Sequence, residues 1–163
     1  MPTNTVIISG FPGIGKSYLF RNDLGLKVKD SDSSLFSWIE KGVRHPDFPN
    51  NYIDHIKACI GEYDVVLVSS HEVVRDALKE SGLEYIIVYP SIELKEVYLK
   101  RYKERGNHEA FIELLENHWD KWITDIDHET YPMKIKLHDD IYLSDYLKHA
   151  GTVTLGLPIA SIK

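Results

Sequence analysis

Residues 6–20 read VIISGFPGIGKSYLF, and the order of those residues decides the fold. Val6, Ile7 and Ile8 are consecutive β-branched residues, the pattern of a strand buried on both faces. From Gly10 to Ser17 the chain fits G-x-x-x-x-G-K-S/T without a mismatch. Glycines let the backbone turn tightly and bring N–H groups close to an anion. A helix opening near Lys16 aims the positive end of its dipole at the same place. The expected phosphate contacts are Gly13, Ile14, Gly15, Lys16, Ser17 and Tyr18. Lys16 is expected to reach the β- and γ-phosphates, and the Ser17 hydroxyl to ligate Mg²⁺.

The rest of the composition sets bounds. The chain has 163 residues, the size of one domain, and 43% of them are hydrophobic, enough for a sizeable core. A formal charge of −6 opposes nonspecific binding to a nucleic acid backbone, so a nucleic acid partner is disfavoured. The single cysteine, Cys59, rules out an internal disulfide and reads as a small buried residue on a helix. Residues 1–4 lack the charge and apolar run of a secretory signal, and no run approaches a membrane span. A cytoplasmic protein without a membrane partner is expected. Its oligomeric state, monomer or homodimer, is left open.

Strands and helices are expected to alternate. Strands are predicted at residues 5–9, 26–29, 65–68, 85–89 and 133–137. Helices are predicted at residues 16–23, 34–41, 51–61, 71–81, 91–104, 111–126 and 142–148, with a loop over 42–50. On the helix over 111–126, Phe111, Leu114, Leu115, His118, Trp119 and Trp122 are expected near one face. The apolar tail, 151–163, has the character of an edge strand, a partner contact or a loose end. Such alternation implies one mainly parallel sheet of five strands, covered on both faces, with the site at the C-terminal strand ends.

Three further strand or helix ends carry chemistry. After the second strand come Asp30 and Asp32, two residues apart and so on the same side of an extended segment. One can hold Mg²⁺ and the other an acceptor hydroxyl; a polar turn capping the next helix is the alternative. The third strand ends in Ser69-Ser70-His71, without the acid that many nucleotide hydrolases place there. Arg75 follows one helical turn later, suited to a substrate phosphate or to a surface pair with Glu72 or Asp76. Arg101 and Arg105 share a face at the end of a helix before Gly106, where a lid could carry them over a transferring phosphoryl group. Ordinary complementation of the helix dipole is the alternative. The eight histidines show no metal-ligand spacing.

Together, GxxxxGKS, the D-S-D after strand two, the missing acid after strand three and the R-x-x-x-R pair resemble the small P-loop kinases of the nucleoside monophosphate kinase superfamily. Shikimate kinases carry a similar D-x-D. Gluconate kinases are similar at Ser69, Ser70, Arg75, Arg101, Arg105, Gly106 and His108. The kinase domain of phage-type polynucleotide kinases has a like order of elements. Tyr18 departs from the family, where a second hydroxyl residue commonly follows Ser17, and the D-G-F/Y-P-R signature of adenylate kinases is missing.

The resemblance implies a three-layer α/β/α P-loop fold with a helical lid at about residues 101–118. It implies ATP as donor, with Mg²⁺ on Ser17 and Asp30. Lys16, Asp32, Arg101 and Arg105 become the catalytic set, and Asp30, Asp32, Ser69, Ser70 and Arg75 the acceptor side. The expected acceptor is a nucleotide, first a nucleoside monophosphate, or a nucleoside. A gluconate- or shikimate-like hydroxyl comes next, then a polynucleotide end or modified base. A non-catalytic ATP-binding regulator is the rival from another class.

Overall fold

The computed structural model describes residues 5–15, 27–31, 33, 36, 38–40, 43–143 and 145. Five strands form one all-parallel sheet: β1 (Val6–Gly10), β2 (Val28–Asp30), β5 (Val65–Ser69), β6 (Ile86–Pro90) and β7 (Met133–Leu137), in the spatial order β2-β5-β1-β6-β7. Between β2 and β5 lie a short antiparallel pair, β3 (Trp38–Glu40) with β4 (Val43–Arg44), and α1 (Asn50–Cys59). Further helices among the described residues are α2 (Glu72–Glu80), α3 (Lys95–Glu104, entered through a 3₁₀ turn at Ile92–Leu94) and α4 (Glu109–Asp127).

The order follows from hydrophobicity and handedness. Val65, Val66, Leu67 and Val68 are consecutive and all fully buried, so both faces of β5 are covered, as a parallel sheet requires. The crossovers from β2 to β5 and from β5 to β6 run in the same direction across the sheet. The right-handed rule therefore puts α1 and α2 on one face, where they pack together. The chain leaves β1 for β2 on one side and later returns to β6 on the other. The strand order thus reverses at β1, and the crevice beyond its C-terminal end is where ligands bind in open α/β sheets. That end carries Gly10 and the glycine-rich loop.

Two expectations change. Residues 34–41 were expected to be helical, but Trp38–Glu40 is a strand, paired through Trp38 with Arg44 and Glu40 with Val43. Trp and Ile favour extended backbone. Part of the expected 42–50 loop is thereby strand. In α4 the buried stripe is Ile112, Leu115, Trp119, Ile123 and Ile126, whereas Leu114 is 46% exposed and His118 is exposed. The core-facing stripe is rotated by about one position, because Trp119 wedges against Phe11 and Tyr98 (ring centroids 5.5 and 5.7 Å) and fixes the helix. The Trp119 indole N–H also donates to Ile92 O, 2.8 Å.

Other elements match closely. Cys59 is a buried free thiol on α1. The break at 106–108 is present between α3 and α4, where Asn107 N–H donates to Tyr102 O and Gly106 N–H to Lys103 O. The predicted helix over 16–23 and the tail over 151–163 lie outside the described residues. So does part of the predicted helix over 142–148.

Candidate active site

The loop after β1 takes its shape from glycines and from what holds its carbonyls. Gly13 and Gly15 have φ of 90° and 99°, in the left-handed region that side chains avoid. Space forbids a side chain there as well. A Cβ on Gly13 would stand 2.9 Å from Tyr102 Cε1, and one on Gly15 would stand 3.0 Å from Tyr142 Cδ1. Phe11 anchors the loop start, 2% exposed in the core, with its N–H bonded to Val88 O.

Three consecutive carbonyls of the loop are tied back. The Tyr102 hydroxyl donates to Pro12 O (2.8 Å), Arg101 Nη1 to Gly13 O (2.7 Å) and Leu143 N–H to Ile14 O (2.8 Å). In a trans peptide the C=O and the next N–H point to opposite sides. The Gly13 N–H is therefore turned away from α3, and the Gly15 N–H away from the turn that holds Leu143. The Ile14 N–H closes back on Phe11 O at 3.2 Å. The two outward N–H groups, either side of Ile14, suit an anion.

Arg101 does not lie over this loop. It sits behind it, 5% exposed, with Nη2 on Asp140 Oδ1 (2.7 Å) and Ile141 O (2.9 Å). Its guanidinium lies between the rings of Tyr98 and Tyr142, 4.3 and 4.0 Å from their centroids. Arg105, one turn on, is exposed. The structure therefore parts the two arginines that share a helix face in sequence. Burial pushes the Tyr98 phenol up to about 12 even with the Arg101 charge beside it, so its hydroxyl stays protonated.

A second group of residues joins the ends of β2 and β5. Tyr52, fully buried on α1, donates its hydroxyl to Ser31 O (2.6 Å) and accepts the Ser69 N–H (3.3 Å). Ser31 Oγ meets His55 Nε2 at 2.9 Å. The Ser9 hydroxyl donates to Ser69 O (3.1 Å), which adds β1 to the group. Phe36 packs on His55 and Tyr52, and Phe48 on Tyr52, so aromatic rings surround this corner. Asp30 and Ser70 are half-buried at the ends of β2 and β5. Burial, and next the charge of Lys29, holds the His55 imidazole below its usual range.

Arg75 takes a different partner from those its neighbours in sequence offered. It is 5% exposed, forms an ion pair with Glu129 and donates Nε to Ser70 O (2.9 Å). Glu129 also accepts from the Tyr85 hydroxyl, 3.2 Å. The guanidinium is thus committed to protein carboxylate and carbonyl.

Lys16, Ser17, Tyr18 and Asp32 lie outside the described residues. Among the described residues, no group of three or more His, Cys, Asp or Glu gathers as a metal would require. A concavity of about 380 Å³ opens between α3 and α4, but Glu109, Glu113 and Glu116 line it, a poor setting for phosphate. It shares no residue with the loop.

Tyr52, Ser31, His55 and Tyr102 escaped sequence reasoning because each acts on a backbone group or side chain distant in the chain. Only the nearness of Ser31 to the two aspartates could have drawn notice. No helix among the described residues is long and apolar enough to cross a membrane. The chain matches no protein-family model and no curated protein sequence.

Proposed function

We propose that this protein is an ATP- and Mg²⁺-dependent phosphotransferase of the P-loop kinase type, with a three-layer α/β/α fold. One observation carries the reading. A complete G-x-x-x-x-G-K-S sequence runs on from the strand at which the sheet order reverses, and its Pro12 and Ile14 carbonyls are tied back so that the Gly13 and Gly15 N–H groups turn outward. ATP fits that loop through its phosphates, with Lys16 as the point charge on the β- and γ-oxygens.

Ser17 and Asp30 are hard oxygen donors of the kind Mg²⁺ takes, Asp30 directly or through water. The ion neutralises phosphate charge when bound. The protein's own part is positioning: the loop fixes the donor, and the ends of β2 and β5 hold the acceptor beside Asp30, Asp32, Ser69 and Ser70. Asp32 takes or orients the acceptor hydroxyl proton.

The acceptor is a nucleotide or nucleoside, and the half-buried rings of Phe36 and Phe48, backed by Tyr52, offer an apolar surface to a flat base. Arg75, which suited an acceptor phosphate, is paired with Glu129. That shifts weight from a nucleoside monophosphate toward a nucleoside.

The test is ADP release from Mg-ATP against a panel of nucleosides, nucleoside monophosphates, small sugar acids and a 5′-hydroxyl oligonucleotide. One class should stimulate turnover, and Lys16→Ala should slow it by about 100-fold or more. Tight ATP binding with no stimulation by any acceptor would instead favour a nucleotide-binding regulator. Full activity in Lys16→Ala would refute the phosphate-loop reading.

A further inference from the structure

We propose that Arg101 is a positioning residue of the nucleotide site, fixing the Gly13 peptide from behind the loop rather than touching the transferred phosphoryl group. This rests on the phosphate-binding reading of the loop.

A guanidinium buried to 5% exposure is costly unless it is paired. Among the described residues the carboxylate on this one is Asp140, itself 68% exposed and so a weak counter-charge. The other oxygens it meets are backbone carbonyls, of Gly13 and Ile141. The bond draws the Gly13 carbonyl toward the guanidinium, and the Ile14 N–H of the same peptide closes on Phe11 O at 3.2 Å. Arg101 thereby fixes the turn between the two peptides whose Gly13 and Gly15 N–H groups face outward.

Side-chain shape matters as much as charge. The group reaches three oxygens and stacks between Tyr98 and Tyr142, which needs a planar fork; an ammonium offers neither property. Tyr102 does the same work on the adjacent carbonyl, at Pro12. Because α3 carries both residues, its seating sets the loop. Trp119 seats α3 in turn through Tyr98, which joins α4 to the site.

A lid arginine and a loop anchor leave different signatures. A lid group on the γ-phosphate separates ATP from ADP. A group that shapes the loop serves both, because both place a β-phosphate there. The experiment measures ADP and ATP affinity with Mg²⁺, KM and kcat, and melting, for the unaltered protein, Lys16→Ala, Arg101→Lys, Arg101→Gln and Tyr102→Phe.

In the expected result Arg101→Lys and Arg101→Gln weaken ADP and ATP alike, by about 10-fold or more, and Tyr102→Phe weakens both by about 3-fold. KM for ATP rises while kcat is kept, a split that a mere loss of folded protein would not give. Unchanged ADP affinity in Arg101→Lys with reduced kcat overturns the proposal, since it returns Arg101 to the γ-phosphate. If the Arg101 variants fail to melt cooperatively, Tyr102→Phe and Asp140→Asn decide. Weaker ADP binding in Tyr102→Phe, with any change in Asp140→Asn smaller, supports the proposal, and unchanged ADP binding in Tyr102→Phe overturns it. An unaltered protein that binds neither nucleotide overturns the phosphate-loop reading, and this proposal with it. Lys16-dependent binding that ignores Arg101 and Tyr102 overturns this proposal alone.

Discussion

The two sides of the candidate site are built by different physics. On the α3 side a buried charge and two tyrosine rings brace the glycine loop, and the bonds to it run from Arg101, Tyr102 and Leu143 to backbone carbonyls. On the α1 side the ends of β2, β5 and β1 are linked by hydrogen bonds of Tyr52, Ser31, His55 and Ser9. A loop that receives a multiply charged ligand gains from a fixed cation behind it. A corner that must accept a less charged partner is held by hydrogen bonds whose net worth is small, so it can adjust. The α3 side, the proposed donor side, is therefore expected to be the more rigid, and the α1 side, the proposed acceptor side, softer and titratable through His55.

Substitutions can break that contrast, beginning with the largest effect. Arg75→Ala removes one partner of the Arg75–Glu129 pair and should cost about 3 kcal/mol of stability. It should leave the KM of the acceptor unchanged, as denaturant unfolding and steady-state kinetics would show. A raised acceptor KM would put Arg75 back in the site. Gly13→Ala comes next. Strain at a positive φ and the contact with Tyr102 should cost about 2 kcal/mol and weaken nucleotide binding, measured by melting and by ADP titration. An alanine that binds ADP normally would mean that the loop need not hold this shape.

Tyr52→Phe should cost about 1 kcal/mol, because Ser31 O and the Ser69 N–H lose the hydroxyl they share. Acceptor KM should rise while ATP KM stays, in contrast with the α3-side variants. The smallest effect is that of pH. The folded protein holds the His55 pKa below its unfolded value, so on acidification the unfolded chain takes up the proton first. This contribution is complete above about pH 6.5 and is lost as pH falls through the folded value. Melting from pH 7.5 to 5.5 should therefore decline more in the unaltered protein than in His55→Gln. Parallel curves would remove His55 from the acceptor-side account.

Much of this organisation was legible in the chain. The runs at 65–68 and 85–89 could be read as strands because every residue in them is apolar and flanked by turn or cap residues. Within the 34–41 segment Phe36 is helical, but 38–40 was misread because its helical spacing coexists with Trp38 and Ile39, and short segments are settled by pairing, here with Val43–Arg44. The stripe on α4 was misplaced because several aromatic faces compete on one helix, and packing against Phe11 chose among them.

The sequence by itself determined the phosphate-loop motif and the parallel α/β alternation. Both are local: a glycine's φ, a β-branched run and a helix start act within a few residues. The tertiary structure alone decided what the arginines do. Arg101 finds Gly13 across 88 residues and Arg75 finds Glu129 across 54. A guanidinium is a long, forked donor whose nearest acceptor depends on which elements pack beside it, and no spacing along the chain encodes that choice.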